Sequence, residues 1–207
     1  MPQQSSPAGG SQSLHPPFGV VAVAASAGGL GALTSILSQL GGDFPVPLLV
    51  VQHLDRTHPS FLAEILGRRT RLKVKQAENG EHISAGRVYV AVPDFHLLVN
   101  SDHTLSLTRT QLVHHVRPAA DVLFESVALS FGPRAIALVA TGTGSDGARG
   151  VSAVKKAGGV VLVQDEGSSD FFGMPGAAIG TGDVDLVLSL KQIPGALKSL
   201  VAGASRV

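Results

Sequence analysis

Short, uninterrupted apolar runs, each stopping abruptly at a polar or glycine-rich step, constrain this chain more than any other feature. They occupy 20–25 (VVAVAA), 46–52 (VPLLVVQ), 135–140 (AIALVA) and 160–164 (VVLVQ), and a fifth, VDLVL at 184–188, carries one acid. A strand with one face in water alternates apolar and polar residues, whereas a strand of a parallel sheet covered by helices is apolar throughout. Between the runs the period changes. Leu30, Leu33, Leu37 and Leu40 recur at helical spacing over 30–40, and further helices are expected at 60–66 behind Pro59, from 118 to about 130, and over 148–157, 175–179 and Ile193–Val201. The first strand, helix and strand form a βαβ unit. The alternation predicts an α/β fold, doubly wound, with a mainly parallel sheet and helices on both faces.

The middle of the chain departs from this rhythm. VYVAV (88–92), HLLVN (96–100) and TLSLT (104–108) are short and are separated by Pro93-Asp94 and Asn100-Ser101-Asp102. They read as an antiparallel hairpin or meander inserted into the parallel scheme. The basic stretch RRTRLKVKQ before them leads into a turn at Asn79-Gly80.

Composition closes off several functions. The 207 residues suffice for one domain, and with 4% aromatic residues and no Trp its core must be Val, Leu and Ala. Sixteen basic residues against fifteen acidic ones give no field to hold a phosphate backbone, which argues against nucleic acid as a partner. The absence of cysteine rules out a disulfide scaffold, a Cys-ligated zinc and a thiol nucleophile, and fits a cytoplasmic location. Residues 1–17 (MPQQSSPAGGSQSLHPP) have neither the basic start nor the apolar centre of a signal peptide and read as a disordered tail, with a single domain over 18–203. No apolar run approaches the ~20 residues that span a bilayer, so no membrane insertion is expected.

Open parallel sheets bind ligands beyond the carboxyl ends of their strands. Three polar residues stand there: Ser26 after 20–25, His53 in VVQHLD, and Asp146 in ALVATGTGSDGA. Nucleophile, base and orienting carboxylate are the groups that turn a weakly acidic hydroxyl into an acyl acceptor. Taken singly, Ser26 and Asp146 also suit helix caps, and His53 a packed strand-end histidine. A dinucleotide loop is the rival for Ser26, with Asp55 near the expected ribose-binding position. Ala24, Ser26 and Gly29 occupy its three glycine positions, however, so two glycines are missing. TGTGSDGARG lacks the lysine of a phosphate-binding P-loop. Either glycine-rich loop can still offer backbone N–H groups to an oxyanion. His53, Asp55 and His58, with His114 and His115, have poor metal-ligand spacing, and no metal is expected. The turn A-A-S-A-G is similar to a nucleophile elbow, but the order Ser26, His53, Asp146 does not fit an α/β-hydrolase.

The residues that carry these features resemble a known family, the catalytic domain of the CheB protein-glutamate methylesterases. The blocks are AASAGGLGAL, VVQHLD, ENGEHISAGRVYVAVPDFHL, VRPAADVLFESVA, ATGTGSDGARG and FFGMPGAAI, in the family's order from about Phe18 to Val201. The resemblance implies a cytoplasmic, cofactor-independent serine hydrolase that removes methyl from glutamyl esters on the signalling helices of methylated chemoreceptors. Many members also deamidate receptor glutamines. It assigns Ser26 as nucleophile, His53 as general base and Asp146 as the acid, with backbone oxyanion donors among Ala27, Gly28, Gly29, Thr143 and Gly144. Methyl-accepting chemoreceptors are the implied partners, and a cognate histidine kinase is a further candidate. Ala24, Ala27, Thr143 and Ser145 stand where Gly, Thr, Met and Asn are frequent. Family members typically carry a receiver domain upstream, and with seventeen residues there none is expected here. A degenerate receptor-binding module and a nucleotide-binding α/β domain are the competing readings.

Overall fold

Every residue of β1 (Val20–Ala25) is buried, and alternate residues serve two different cores. The computed structural model describes residues 17–203, so the tail read over 1–17 lies outside the described residues except for its last member. After β1 come α1 (Gly29–Leu37), β2 (Leu48–Gln52), α2 (Leu62–Gly67), β3 (Lys73–Gln76), β4 (Arg87–Val90), β5 (His96–Val99) and β6 (Leu105–Thr108). The second half holds α3 (Ala120–Phe131), β7 (Ala135–Val139), α4 (Ala148–Lys156), β8 (Val160–Gln164), α5 (Gly173–Gly180), β9 (Leu186–Leu188) and α6 (Ile193–Val201). Seven strands form one parallel sheet in the order β3-β4-β2-β1-β7-β8-β9.

Val21, Val23 and Ala25 face the core built by α1, α2 and α6, with Leu33, Ile36, Leu66 and Leu197 among its members. Val20, Ala22 and Ala24 face the opposite core, where α3, α4, α5 and the small hairpin contribute Phe124, Val151, Met174 and Leu97. This is why the strand has no polar position: both of its faces are removed from water.

The reading of 88–92 as part of an antiparallel insertion needs correction. β4 pairs in parallel with β2 (Leu48↔Val88) and with β3 (Lys73↔Arg87), and among the described strands only β5 and β6 pair antiparallel. Short length and flanking turns do not separate a hairpin arm from a parallel strand. Val88, Tyr89 and Val90 are all buried, as residues of a strand inside the parallel sheet must be. β3 had been hidden inside the basic stretch. As one margin of the sheet it spaces Lys73 and Lys75 along its length, while β9, the other margin, is three residues long and exposes Leu186 and Val187.

The chain leaves β1 through α1 on one face and leaves β7, on the opposite flank of β1, through α4 on the other. Connections departing in opposite directions from neighbouring strands open a crevice at their carboxyl ends. α3 and α4 meet beside it at Gly150, where an added Cβ would lie 2.5 Å from Phe124 Cβ and 3.2 Å from the Asp121 backbone. Gly150→Ala is expected to lower stability by about 2 kcal/mol, because the close approach to Phe124 puts overpacking near the upper end of about 1–3 kcal/mol, against a helix-propensity gain of about 1. Urea denaturation measures it, and a variant as stable as the parent would show that the α3–α4 contact is slack.

Candidate active site

Ser26 is the first residue beyond β1, and its backbone is held from both neighbouring strands. Its N–H donates to the Thr141 carbonyl beyond β7 (3.0 Å), and its carbonyl accepts Gln52 Nε2 from the end of β2 (2.7 Å) and the Gly29 N–H (2.9 Å). Gly28 turns at φ 77°, and a Cβ there would come within 2.6 Å of Asp170 Oδ2. Gly142 lets the β7 loop close over the serine, since a Cβ there would lie 2.8 Å from Ser26 Cβ and 2.5 Å from Met174 Sδ. The N-cap of α1 is Gly28, and no side chain caps that helix. Ser26 Oγ therefore does not serve as a cap, and among the described residues nothing hydrogen-bonds to it.

His53 follows β2 and extends the ladder, its N–H donating to the Ala25 carbonyl (3.0 Å). Its ring Nε2 lies 2.8 Å from Asp146 Oδ2. Asp146 is 3% exposed and accepts the N–H groups of Ala120 (2.5 Å) and Asp121 (3.0 Å) at the amino end of α3. It does not cap the helix that follows it. That task falls to Asp121, whose Oδ1 accepts the Gly147 (3.0 Å) and Gly150 (2.8 Å) N–H groups at the start of α4. Burial pushes the Asp146 carboxyl up, but the His53 hydrogen bond and the two backbone N–H groups outweigh it and hold the group below its usual value. Asp146 is thus an anion at neutral pH, fixed at a helix amino terminus where negative charge is favoured.

Ser26, His53 and Asp146 line one cavity of about 260 Å³, together with Thr143, Gly144 and His114. Ser26 and His53 share this space without a direct hydrogen bond. A second, larger hollow of about 550 Å³ begins at Ser26 and runs past Leu30, Leu54, Phe61 and Ile65. Among the described residues the N–H groups of Ala27, Gly28, Thr143 and Gly144 meet no protein acceptor, so four donors are available around the serine. Gly29, counted with them from the sequence, has its N–H turned onto the Ser26 carbonyl by the tight turn that starts α1.

Asp55 and His58 border the larger hollow that begins at Ser26, and Asp55 and His115 border a smaller one with His53, but among the described residues these candidates do not gather into a metal-ligand cluster. Asp55 and His58 pair with each other in an exposed loop (3.1 Å), with Thr57 also bonded to Asp55. The structure instead gathers His114, Asp121 and Asp146, whose ligand-type atoms lie within 4.8 Å of one another. Three residues that no sequence motif marks, Gln52, Thr141 and Asp121, complete the site. Gln52 Nε2 bridges the Ser26 and His53 carbonyls, leaving buried Oε1 without a partner and facing Gly29, where a Cβ would be 2.0 Å away. Thr141 Oγ1 donates to the Ala27 or Phe171 carbonyl and accepts the Phe171 N–H (2.9 Å), tying three loops together. A polar residue at the end of an otherwise buried run was the available signal for both.

Residues 21–197 match the family model described as CheB methylesterase. The chain is 43% identical to protein-glutamate methylesterase/protein-glutamine glutaminase 4 of Myxococcus xanthus, over 91% of this chain and 54% of that protein. It is 38% identical to a putative protein-glutamate methylesterase/protein-glutamine glutaminase of Leptospira interrogans, over 85% of this chain and 91% of that protein. The crystal structure of the Thermotoga maritima CheB methylesterase catalytic domain superposes with a TM-score of 0.85 at 36% identity, covering 89% of this chain and 99% of that one. The chain spans about half the length of the Myxococcus protein and of the Rhizobium meliloti relative it also matches.

Asp146→Asn tests the electrostatics. A carboxyl held below its unfolded value of 3.8 adds stability above that pH, and loses it as pH falls through the lower folded value. The variant is expected to be less stable than the parent by about 2 kcal/mol at neutral pH. That gap should shrink below pH 3.8, and a gap independent of pH would overturn the assignment.

Proposed function

This chain belongs to the CheB methylesterase family, and on that premise we propose that it is a serine hydrolase of glutamyl methyl esters that also deamidates glutamine side chains. The single observation that carries the reading is the meeting of Ser26, His53 and Asp146 from three separate strand ends on one cavity. With Nε2 engaged by Asp146, the His53 nitrogen available to Ser26 is Nδ1. It takes the hydroxyl proton as Oγ attacks the ester carbonyl, and ionised Asp146 stabilises the imidazolium that results. The N–H groups of Ala27, Thr143 and Gly144, which meet no protein acceptor among the described residues, are the donors for the developing oxyanion, where one such donor is worth about 3 kcal/mol; that of Gly28, beside the Asp170 carboxylate, is the least suited of the sequence candidates. The hollow beyond Ser26, with Leu30, Leu54, Phe61 and Ile65, suits the apolar flank of a helix presenting a glutamyl side chain. The substrates proposed are the signalling helices of methylated chemoreceptors. Among the described residues no helix is long and apolar enough to cross a membrane.

The dinucleotide reading loses ground on one detail. The Asp170 carboxylate packs against Gly28 at the start of α1, where a pyrophosphate would need positive surroundings.

Methanol release from a methylated receptor fragment tests the proposal. Ser26→Ala is expected to lower it at least ~10⁴-fold and to abolish labelling by a fluorophosphonate. Stability should stay within about 0.5 kcal/mol of the parent, because Oγ holds nothing in place. Methanol release by the variant at the parent's rate would remove Ser26 as nucleophile.

A further inference from the structure

A second histidine–carboxylate pair opens onto the cavity that holds Ser26. His114 Nε2 lies 2.9 Å from Asp121 Oδ2, and His53 Nε2 lies 2.8 Å from Asp146 Oδ2. The pairs are built alike. Asp121 is 0% exposed and takes two backbone N–H groups, from Gly147 and Gly150, as Asp146 takes those of Ala120 and Asp121. In each pair Nε2 is engaged by the carboxylate, and Nδ1 has no protein partner among the described residues. The pairs are also joined, because the N–H that Asp146 Oδ1 accepts is that of Asp121.

His114 is placed with care. It and His115 adopt left-handed backbone, at φ 50° and 64°, inside a turn closed by the Val113–Val116 bridge. Two successive non-glycine residues in that region are sparsely populated, and such backbone concentrates at functional sites. The loop is anchored on both sides. Buried His96 Nε2 donates to the Gln111 carbonyl (2.9 Å), and Arg117 donates to Asp94 and to the Thr110 carbonyl (2.5 Å). The His114 side chain is 44% exposed, so its ring is reachable from the open cavity and from solvent. The charged or titratable groups near it are Asp121, Asp146, His53, neighbouring His115 and Arg149, whose Nε lies 3.9 Å from Asp121 Oδ2 and 2.7 Å from Glu125. A cation held by His114, Asp121 and Asp146 would compete with backbone N–H groups for the carboxylate oxygens, so the cluster is better suited to moving protons than to binding metal.

We propose that His114, held by Asp121, is a second acid–base residue of this site: it protonates the leaving group and later deprotonates water, while His53 serves Ser26 alone. This rests on the hydrolase reading above. In acylation the Oγ–C bond forms as the Ser26 proton passes to His53 Nδ1. The bond from carbon to the leaving atom then breaks as imidazolium His114 gives that atom its Nδ1 proton, so methanol or ammonia departs neutral. His53 is now cationic and His114 neutral. In deacylation water attacks the acyl carbon and one of its protons passes to His114. The C–Oγ bond breaks as His53 returns a proton to Ser26, and the glutamic acid formed ionises to solvent. Both histidines regain their starting states, and neither ring has to travel between Ser26 and the leaving atom.

His114→Asn keeps a residue that tolerates positive φ, and His114→Gly leaves space for added imidazole. Turnover of a glutamyl methyl ester and of the matching glutaminyl peptide should fall ~10²-fold or more in both variants. The acylation burst with the p-nitrophenyl ester of the same peptide should fall far less, because p-nitrophenolate leaves without a proton. Imidazole should restore part of the methyl-ester rate to His114→Gly. Equal slowing of all three substrates, no slowing, or activity of the parent that chelator removes and zinc restores would overturn the proposal. A parent that releases neither methanol nor ammonia would overturn the hydrolase reading and this inference with it; an active parent with unaffected variants would overturn this inference alone.

Discussion

Two helices in this protein exchange caps. Asp146, from the loop that starts α4, closes the amino end of α3, and Asp121, in the first turn of α3, closes the amino end of α4. Each carboxylate satisfies orphan N–H groups that its own helix cannot and sits where the helix dipole favours an anion. The exchange fixes the β7 loop against α3, with Gly150 setting how closely the two helices approach. Because His53 hangs from Asp146, the position of its ring follows from that junction. Stability and chemistry are thus coupled through the same two oxygens of Asp146.

The opposite wall of the site is built by subtraction. Gly28, Gly142 and Gly173 stand where a side chain would strike Asp170, Met174 or the Gly144 backbone, and their absence of Cβ lets three loops converge on Ser26. Thr141 and Gln52 then bind those loops through short hydrogen bonds. Ser26 is held by its backbone alone, which leaves the hydroxyl uncommitted.

The central strands were legible because burial on both faces writes itself as a continuous apolar run, and polar residues in the segments just beyond those runs pointed to Ser26, His53 and Asp146, while the polar residues that actually end the β2 and β7 runs, Gln52 and Thr141, went unread. What escaped was everything decided by partners distant in sequence. β3 looked like a charged linker because an edge strand needs charge more than apolarity. β4 looked like a hairpin arm because its pairing with β2 spans some forty residues. Gly29 and Gly28 are indistinguishable in sequence, yet one N–H closes a turn and the other meets no protein acceptor among the described residues. The exchanged caps and the His114–Asp121 pair depend on which loop lies over which helix, and no local pattern records that.

The two margins of the sheet are guarded by different means. Along β3 a second copy of the chain attempting to add a strand would meet exposed Lys73, whose like charge repels its counterpart, and Lys75 with its ion pairs to Glu78 (2.9 Å) and Glu81 (2.8 Å), charged groups that an added strand would have to desolvate. Along β9 there is no such barrier, since Leu186 and Val187 are exposed. Brevity takes its place: a three-residue strand offers too few ladder bonds to hold an added chain in register. Lengthening β9, in a natural relative or by engineering, would convert a harmless margin into a sticky one and expose the protein to edge-to-edge aggregation.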